Sequence, residues 1–160
     1  MQVIRIHNHG GPEVLQLESI AQPQPGPGEV RIRLAAIGVN FIDIYQRLGQ
    51  YKMTLPFTPG MEGSGVVDAL GEGVTGLEVG RRVVSHGGHA SLVVQKQTLV
   101  QPVPDGVSDE DATFCTLGVI CLNGVRLARL QLGESVVVCG AGLVGVLTAD
   151  LARKSGAWPV

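Results

Sequence analysis

Short apolar runs alternate with clusters of glycine and proline through the first two thirds of the chain. The runs are rich in valine, isoleucine and leucine, and their spacing is typical of an antiparallel barrel or sandwich. They cover residues 3–6, 14–17, 30–37, 65–70, 82–85 and 90–94. We therefore predict an all-β region up to about residue 108, where the pattern changes.

The pattern after this point is typical of helix. Ser108 has the character of an N-cap, with Asp111 three residues later, and the apolar positions of residues 112–127 follow a helical period. Two glycines, Gly118 and Gly124, interrupt that period. We expect them to break or bend the helix, because glycine is a poor helix former.

The last part of the chain predicts a strand, a turn and a helix. Residues 136–138 are three valines, a continuous apolar run that is typical of a strand buried on both faces. The helix is predicted over residues 143–155, with Gly156 as its C′ residue. Pro159 would then stand where the next strand begins, a position that proline tolerates.

The turn between strand and helix has the pattern G-x-G-x-x-G at residues 140–145, which predicts a dinucleotide site. Gly140 would form the tight turn, Gly142 would let the backbone approach a pyrophosphate, and Gly145 would let the helix pack closely. Leu143 and Val144 would stand at the helix N-terminus, where backbone N–H groups bind anions. The same three glycines also fit a plain strand-to-helix turn, and that alternative stays open at this stage.

An acidic residue that binds the ribose is expected roughly 20 residues after the first glycine. Counted from Gly140, this position is Val160, the last residue of the sequence. The residues that distinguish NADH from NADPH are therefore not found in this stretch of sequence.

Composition and charge narrow the classes of function. With 44% hydrophobic and 16% charged residues among 160, the chain can bury a core. The formal net charge of −2 and the absence of a basic stripe argue against nucleic acid and anionic membrane as partners. The sequence has no apolar stretch of the roughly 18 residues that span a membrane and no signal-peptide layout at the start. We therefore expect a cytoplasmic protein.

Cysteine usage agrees with a reducing compartment. Cys115, Cys121 and Cys139 are odd in number, lie in apolar surroundings and form no C-x-x-C pair. We expect three reduced thiols packed in the core, where free cysteine is commonly found.

Four further motifs occur in a fixed order before the glycine loop. They are His7-Asn-His-Gly-Gly-Pro-Glu-Val-Leu15, Gly38-Val-Asn-Phe-Ile-Asp-Ile-Tyr45, Pro59-Gly-Met-Glu-Gly-Ser-Gly-Val-Val67 and Leu70-Gly-Glu-Gly-Val-Thr75. In this order the sequence resembles the medium-chain dehydrogenase/reductase superfamily, especially its zinc-free quinone oxidoreductase branch. The resemblance implies a mainly β, GroES-like barrel on the substrate side at residues 1–115. It implies a linker helix and an incomplete nucleotide-binding domain at residues 116–160, the first β-loop-α unit of a Rossmann α/β domain.

The resemblance also implies a reaction. Hydride would pass from NADPH, or from NADH, to a small-molecule quinone or conjugated carbonyl. Asn40 and Tyr45 match the positions that line the cleft near the nicotinamide, and both carry neutral donors for a carbonyl oxygen. Asp43 and Glu62 match the motifs too, and we expect them to brace the loop backbone. Without the resemblance, Asn40 is also compatible with a turn former and Tyr45 with a core aromatic residue.

The resemblance implies no zinc. Zinc-dependent members have a cysteine where this chain has Asn40 and a histidine where it has Met61, and neither replacement is an ordinary zinc ligand. His86 and His89 could be considered as a metal pair, but a closed site needs further ligands. We expect both histidines to be solvated or packed in a loop.

Other features leave the substrate and the assembly open. The glycine loop 140–145 is closer to that of zinc-containing alcohol and polyol dehydrogenases, so the exact substrate class is not defined. The free sheet edge of a partial Rossmann unit predicts a homo-oligomer. If the chain is complete, a GroES-like binding or assembly module is the alternative, with residues 134–160 as an interaction arm.

Overall fold

The computed structural model describes residues 1–160 and divides into two units, Met1–Phe114 and Cys115–Val160. Each unit has its own core. The first contains all the β-strands, and the second contains the two longer helices.

The strands of the first unit form two antiparallel sheets. Their bounds are β1 Gln2–Arg5, β2 Gln16–Ser19, β3 Glu29–Ile37, β4 Gly63–Leu70, β5 Arg82–Ser85, β6 Leu92–Lys96 and β7 Gln101–Pro102. One sheet pairs β1 with β2, and the five-stranded sheet has the order β6-β3-β4-β5-β7. Each predicted apolar run overlaps one of the first six strands, so this part of the prediction is confirmed with shifted bounds.

The hydrogen-bonded strands do not form the closed barrel that the resemblance implied. The edge strands β6 and β7 do not pair with each other, and only single bridges, Val3 with Ala90 and Ile6 with Phe57, link the β1 region to other segments. β7 has only two residues. One of them is Pro102, which has no N–H group with which to extend the ladder.

The core of the first unit lies on one face of β3 and β4. Val30, Ile32 and Val67 are fully buried, and Ile32 is paired in register with Val67. Arg31 and Asp68 point to the other face, where the Arg31 Nε donates to Asp68 Oδ2 at 2.6 Å. This alternation is the period of two that the sequence shows.

The first unit ends in α2, Asp109–Thr113. The Ser108 hydroxyl accepts a hydrogen bond from the Asp111 N–H at 3.0 Å, so the predicted N-cap is confirmed. The Arg82 guanidinium, on β5, donates to Asp109 Oδ1 at 2.8 Å. The N-cap satisfies a backbone N–H at the start of α2, and the ion pair with Arg82 holds this short helix at the sheet.

Replacing Ser108 with alanine is expected to destabilise the first unit by about 0.5–2 kcal/mol, the usual cost of losing an N-cap. Urea denaturation followed by circular dichroism measures the change. Ser19→Ala, at an exposed position of β2, is the matched control, and we expect it to change stability by less than about 0.5 kcal/mol. Equal effects of the two substitutions would contradict the capping role.

The second unit begins with α3, Cys115–Leu127. The predicted break at Gly118 and Gly124 is wrong, because α3 continues through both residues, whereas the predicted bend stays a prediction. The helical segment is divided at Phe114 instead, between α2 and α3. A helical glycine keeps its backbone hydrogen bonds, so it lowers helix stability by about 1 kcal/mol without ending the helix.

The predicted strand at residues 136–138 is also not formed. Residues 134–136 exchange strand-like backbone hydrogen bonds with residues 158–159: the Trp158 N–H donates to the Glu134 carbonyl at 2.8 Å and the Val136 N–H to the Pro159 carbonyl at 2.9 Å. Val137 is 87% exposed rather than buried on both faces. A buried parallel strand needs neighbouring strands on both sides, and this segment has one short neighbour.

The helix α4, Leu143–Lys154, agrees with the prediction, and Gly156 follows it with a φ of +96° as expected of a C′ residue. On its exposed face Lys154 Nζ lies 2.6 Å from Asp150 Oδ2. The hydrogen bond from Lys154 lowers the pKa of the Asp150 carboxyl, as is usual for an ion pair in this spacing.

Only one cysteine is packed as predicted. Cys121 is buried, whereas Cys115 and Cys139 are exposed. Cys115 is the first residue of α3, and Cys139 lies in the segment that has no covering strands, so neither has a core to enter. None of the helices is both long enough and apolar enough to cross a membrane.

Candidate functional site

A short helix that the sequence did not predict carries both candidate catalytic residues. The helix α1 spans Phe41–Arg47, with Asn40 as its N-cap and Tyr45 in its second turn. The Asp43 carboxylate accepts a hydrogen bond from the Asn40 N–H at 3.0 Å. The local signal was present, since asparagine is a favoured N-cap and an acidic residue suits the first turn.

The polarity of α1 is inverted. Asp43 and Gln46 face the interior and are buried, whereas Phe41 is 74% exposed. Tyr45 and Ile44 are also exposed. An ordinary surface helix buries its apolar side. In α1 the apolar side is exposed instead, next to the polar residues at the start of the helix.

Asn40 is held by a second carboxylate. Its side-chain Nδ2 donates to Glu62 Oε1 at 2.8 Å, and Glu62, just before β4, is only 2% exposed. A Cβ on Gly38 would lie 2.3 Å from the same Glu62 Oε1, so the backbone packs directly on this carboxylate. Asp43 therefore braces the loop backbone, as the sequence led us to expect. The Glu62 carboxylate differs from that expectation, because it holds the Asn40 side chain instead.

His89 joins the same group of residues. Its Nε2 lies 3.0 Å from Asp43 Oδ2, and the side chain is 17% exposed. The expectation of a loop-packed histidine agrees with this position, but sequence reasoning missed the contact with Asp43. No signal in the sequence could have found it, because the two residues are 46 positions apart.

Tyr45 is not a core aromatic residue. Its side chain is 38% exposed, and its ring lies 6.3 Å from that of Tyr51, at an interplanar angle of 37°. The two rings therefore form a tilted aromatic pair at the exposed side of α1.

The glycine loop in the second unit is shaped for close packing. Gly140 has a φ of +106°, which disfavours other residues. A Cβ on Gly145 would lie 1.8 Å from the Gly140 carbonyl oxygen. Gly142 is the N-cap of α4 and offers no capping side chain, so the first backbone N–H groups of the helix, at Leu143 and Val144, are suited to an anionic ligand.

The structure brings the predicted residues together in two groups. Asn40 and Tyr45 lie on α1 in the first unit, and residues 140–145 lie at the start of α4 in the second. No group of three or more His, Cys, Asp or Glu side chains is arranged to hold a metal ion.

Comparison with known proteins agrees with this architecture. Residues 26–107 match the family model of the alcohol dehydrogenase GroES-like domain. The chain therefore belongs to this family. The family match and the similar proteins together show that it is a quinone oxidoreductase-like member of the medium-chain dehydrogenase/reductase superfamily.

The relatives include enzymes and NADPH complexes. The quinone oxidoreductase of Rattus norvegicus is 36% identical over 98% of this chain and 50% of its own length. The structure of mycobacterial Rv1454c complexed with NADPH has a TM-score of 0.91 and 40% identity, and the match covers 98% of this chain and 51% of that one. Escherichia coli quinone oxidoreductase complexed with NADPH has a TM-score of 0.85 and 30% identity, over 98% of this chain and 51% of that one. The chain spans about half the length of the curated relatives it matches.

Proposed function

We propose that this chain forms the substrate side and the beginning of the cofactor domain of an NAD(P)H-dependent oxidoreductase. The reaction is hydride transfer to a quinone or a conjugated carbonyl, without a metal. The observation that carries this proposal is the uncapped N-terminus of α4 directly after a G-x-G-x-x-G turn. NADPH is the expected donor, since two of the similar structures contain it, and NADH is the alternative.

The two units have separate roles in this proposal. Residues 1–115 bind the substrate, and residues 116–160 contribute a linker helix and the first part of a Rossmann domain. Residues 134–136 and 158–159 run in the same direction and exchange backbone hydrogen bonds. This pairing supports the proposal because a Rossmann sheet is parallel and its strands are connected by a helix.

The residues of the glycine loop fit a dinucleotide. A Cβ on Gly142 would meet no protein atom within 4 Å, so the space in front of this residue is open to a ligand. The backbone N–H groups of Leu143 and Val144 would bind the pyrophosphate, while Gly140 and Gly145 keep the turn close to the helix. When bound, the reduced nicotinamide supplies the hydride.

Asn40 and Tyr45 are the proposed catalytic residues. An amide has two N–H donors, and Asn40 uses one for Glu62, so the other is available to a substrate oxygen. The exposed Tyr45 hydroxyl is a second neutral donor. Neutral donors stabilise the negative charge that develops on a carbonyl oxygen during hydride transfer, whereas a carboxylate beside it would oppose that charge.

The apolar side of α1 suits a planar, weakly polar substrate. Phe41, Ile44 and Tyr45 are exposed beside Asn40, and apolar lining with few polar groups is typical of small-molecule sites. The proposal of a metal-free reaction rests on the identity of Asn40 and Met61. They stand where zinc-dependent members have a cysteine and a histidine, and neither is an ordinary zinc ligand.

Titration of the 160-residue chain with NADPH and with NADH tests the proposal. We expect saturable enhancement of nicotinamide fluorescence, tighter for NADPH, and oxidation of the bound donor when a quinone is added. Circular dichroism shows whether the chain is folded in the same buffer. A folded chain that binds neither nucleotide would exclude a cofactor site formed by residues 140–145 alone, and the chain would then be half of an enzyme or an interaction module.

The second candidate function is a GroES-like binding or assembly module. The second unit exposes several large apolar side chains, including Leu132 at 89%, Val137 at 87% and Trp158 at 71%. Apolar exposure of this extent is a mark of interaction surfaces, and it is the observation that favours this second function. Self-association to a homo-oligomer is a prediction of either function.

A further inference from the structure

A continuous series of hydrogen bonds joins three separate segments of the first unit. It runs from His89, before β6, to Asp43 in α1, to Asn40 at the start of α1, and to Glu62 before β4. Asp43 and Glu62 are buried and Asn40 is half-buried, while the His89 side chain is more exposed than that of Asp43, at 17% against 9%. The series ends at the amide of the proposed catalytic residue Asn40.

His89 acts on the site through its contact with the Asp43 carboxylate. Asp43 Oδ2 accepts the Asn40 N–H at 3.0 Å and lies 3.0 Å from His89 Nε2. An ionised carboxylate can only accept hydrogen bonds, so the imidazole donates through an Nε2–H group. The other oxygen, Asp43 Oδ1, is buried without a partner, and the two bonds at Oδ2 therefore hold this carboxylate in place.

The backbone at His89 is held by the segment that contains Pro59 and Gly60. The His89 N–H donates to the Pro59 carbonyl at 2.7 Å. A Cβ on Gly60 would lie 2.7 Å from the His89 nitrogen, so these two segments are in direct backbone contact. This packing provides a fixed point against which Asp43, and through it the first turn of α1, can be oriented.

We propose that His89 is a positioning residue: through Asp43 it fixes the N-terminus of α1, so that the Asn40 amide presents its free N–H to a substrate carbonyl oxygen. Glu62 holds the side-chain end of the same amide, and Asp43 holds the backbone end. Without the His89 donor, Asp43 Oδ2 keeps only the bond from the Asn40 N–H, and this buried carboxylate, whose Oδ1 has no partner, can turn away from its position. The link to substrate rests on the proposed function, whereas the orientation of Asn40 does not.

The test compares His89→Leu with His89→Gln. Leucine has a similar size and no donor, whereas the glutamine amide N–H can take the place of Nε2–H. We expect nuclear magnetic resonance of the ¹⁵N-labelled chain to show the Nε2–H tautomer of His89 in the unmodified protein. We expect the Asn40 side-chain amide resonances to shift in His89→Leu and to return toward their original positions in His89→Gln.

His7→Leu is the matched control, because it removes another histidine that contacts a carboxylate, Glu18, outside this series of bonds. It is expected to leave the Asn40 resonances unchanged. Equal shifts in the leucine and glutamine variants would overturn the proposal, and so would an Nδ1–H tautomer of His89. If His89→Leu does not fold, the tautomer and the glutamine variant still decide the question.

Kinetics then separate this proposal from the proposed function. If the chain reduces a quinone with NADPH, we expect His89→Leu to lower kcat about tenfold with little change in KM, since misplacing a catalytic donor acts mainly on the transition state. His89→Gln should restore most of the rate. A chain without any quinone reduction would count against the proposed function, while the resonance shifts would still confirm or reject the role of His89.

Discussion

Alanine at position 142 is expected to weaken NADPH binding by at least about 100-fold, or about 2.8 kcal/mol, with a loss of stability of no more than about 1 kcal/mol, because alanine is a poorer N-cap than glycine. Gly142 has an ordinary φ of −76°, and an added Cβ would meet no protein atom within 4 Å. The substitution therefore causes no strain in the protein itself. In the proposed site it places a methyl group where the backbone would approach the pyrophosphate, which is the reason for glycine at the second position of such motifs.

Nucleotide titration of the Gly142→Ala variant measures this effect, and thermal unfolding measures stability. Gly124→Ala is the matched control, because its Cβ also meets no atom within 4 Å but lies inside α3. We expect the control to bind NADPH normally and to gain up to about 1 kcal/mol in stability. Undiminished binding by Gly142→Ala would exclude the glycine loop as the nucleotide site.

Ile32→Ala is expected to destabilise the first unit by about 2–5 kcal/mol, the range seen when a large core side chain is truncated. Ile32 is fully buried on β3, in register with Val67 of β4. Loss of its side chain removes apolar contacts and leaves a cavity in a core cluster that also contains Val67, Val83 and Val93. A change of this size is a large fraction of the stability of an ordinary domain.

Urea denaturation measures the change as a lower midpoint at constant m-value. Leu17→Ala is the control, because Leu17 also lies on a strand but is 66% exposed. It is expected to change stability by less than about 0.5 kcal/mol. If both substitutions had equally small effects, the sheet face bearing Ile32 would not be the core of the unit.

The strands were predictable because their signal is local. Alternation of apolar and polar residues along β3, and glycine or proline at the turns, depend only on neighbouring positions in the chain. The cap at Ser108 and the end of α4 at Gly156 are local in the same sense. The glycine loop could be identified for the same reason, since its pattern lies within residues 140–145.

Helix α1 was missed because its polarity is inverted. Periodicity predicts a helix by assuming that apolar residues face the interior, and here Asp43 and Gln46 do so while Phe41 is exposed. The prediction of a strand at residues 136–138 was wrong for the opposite reason. Its apolar pattern is that of a buried strand, but burial requires neighbouring strands, and the described chain has one short neighbouring segment.

The sequence by itself determined the β character of the first unit, the helix boundaries set by caps, the family, and the identity of Asn40, Tyr45 and the glycine loop as candidates. Only the tertiary structure decided that Asn40 is held between two buried carboxylates and that His89 contacts one of them. Glu62 is 22 positions from Asn40, and His89 is 46 positions from Asp43. Contacts at such separations depend on the register of β3, β4 and β6, which brings distant segments together and leaves no pattern within any one of them.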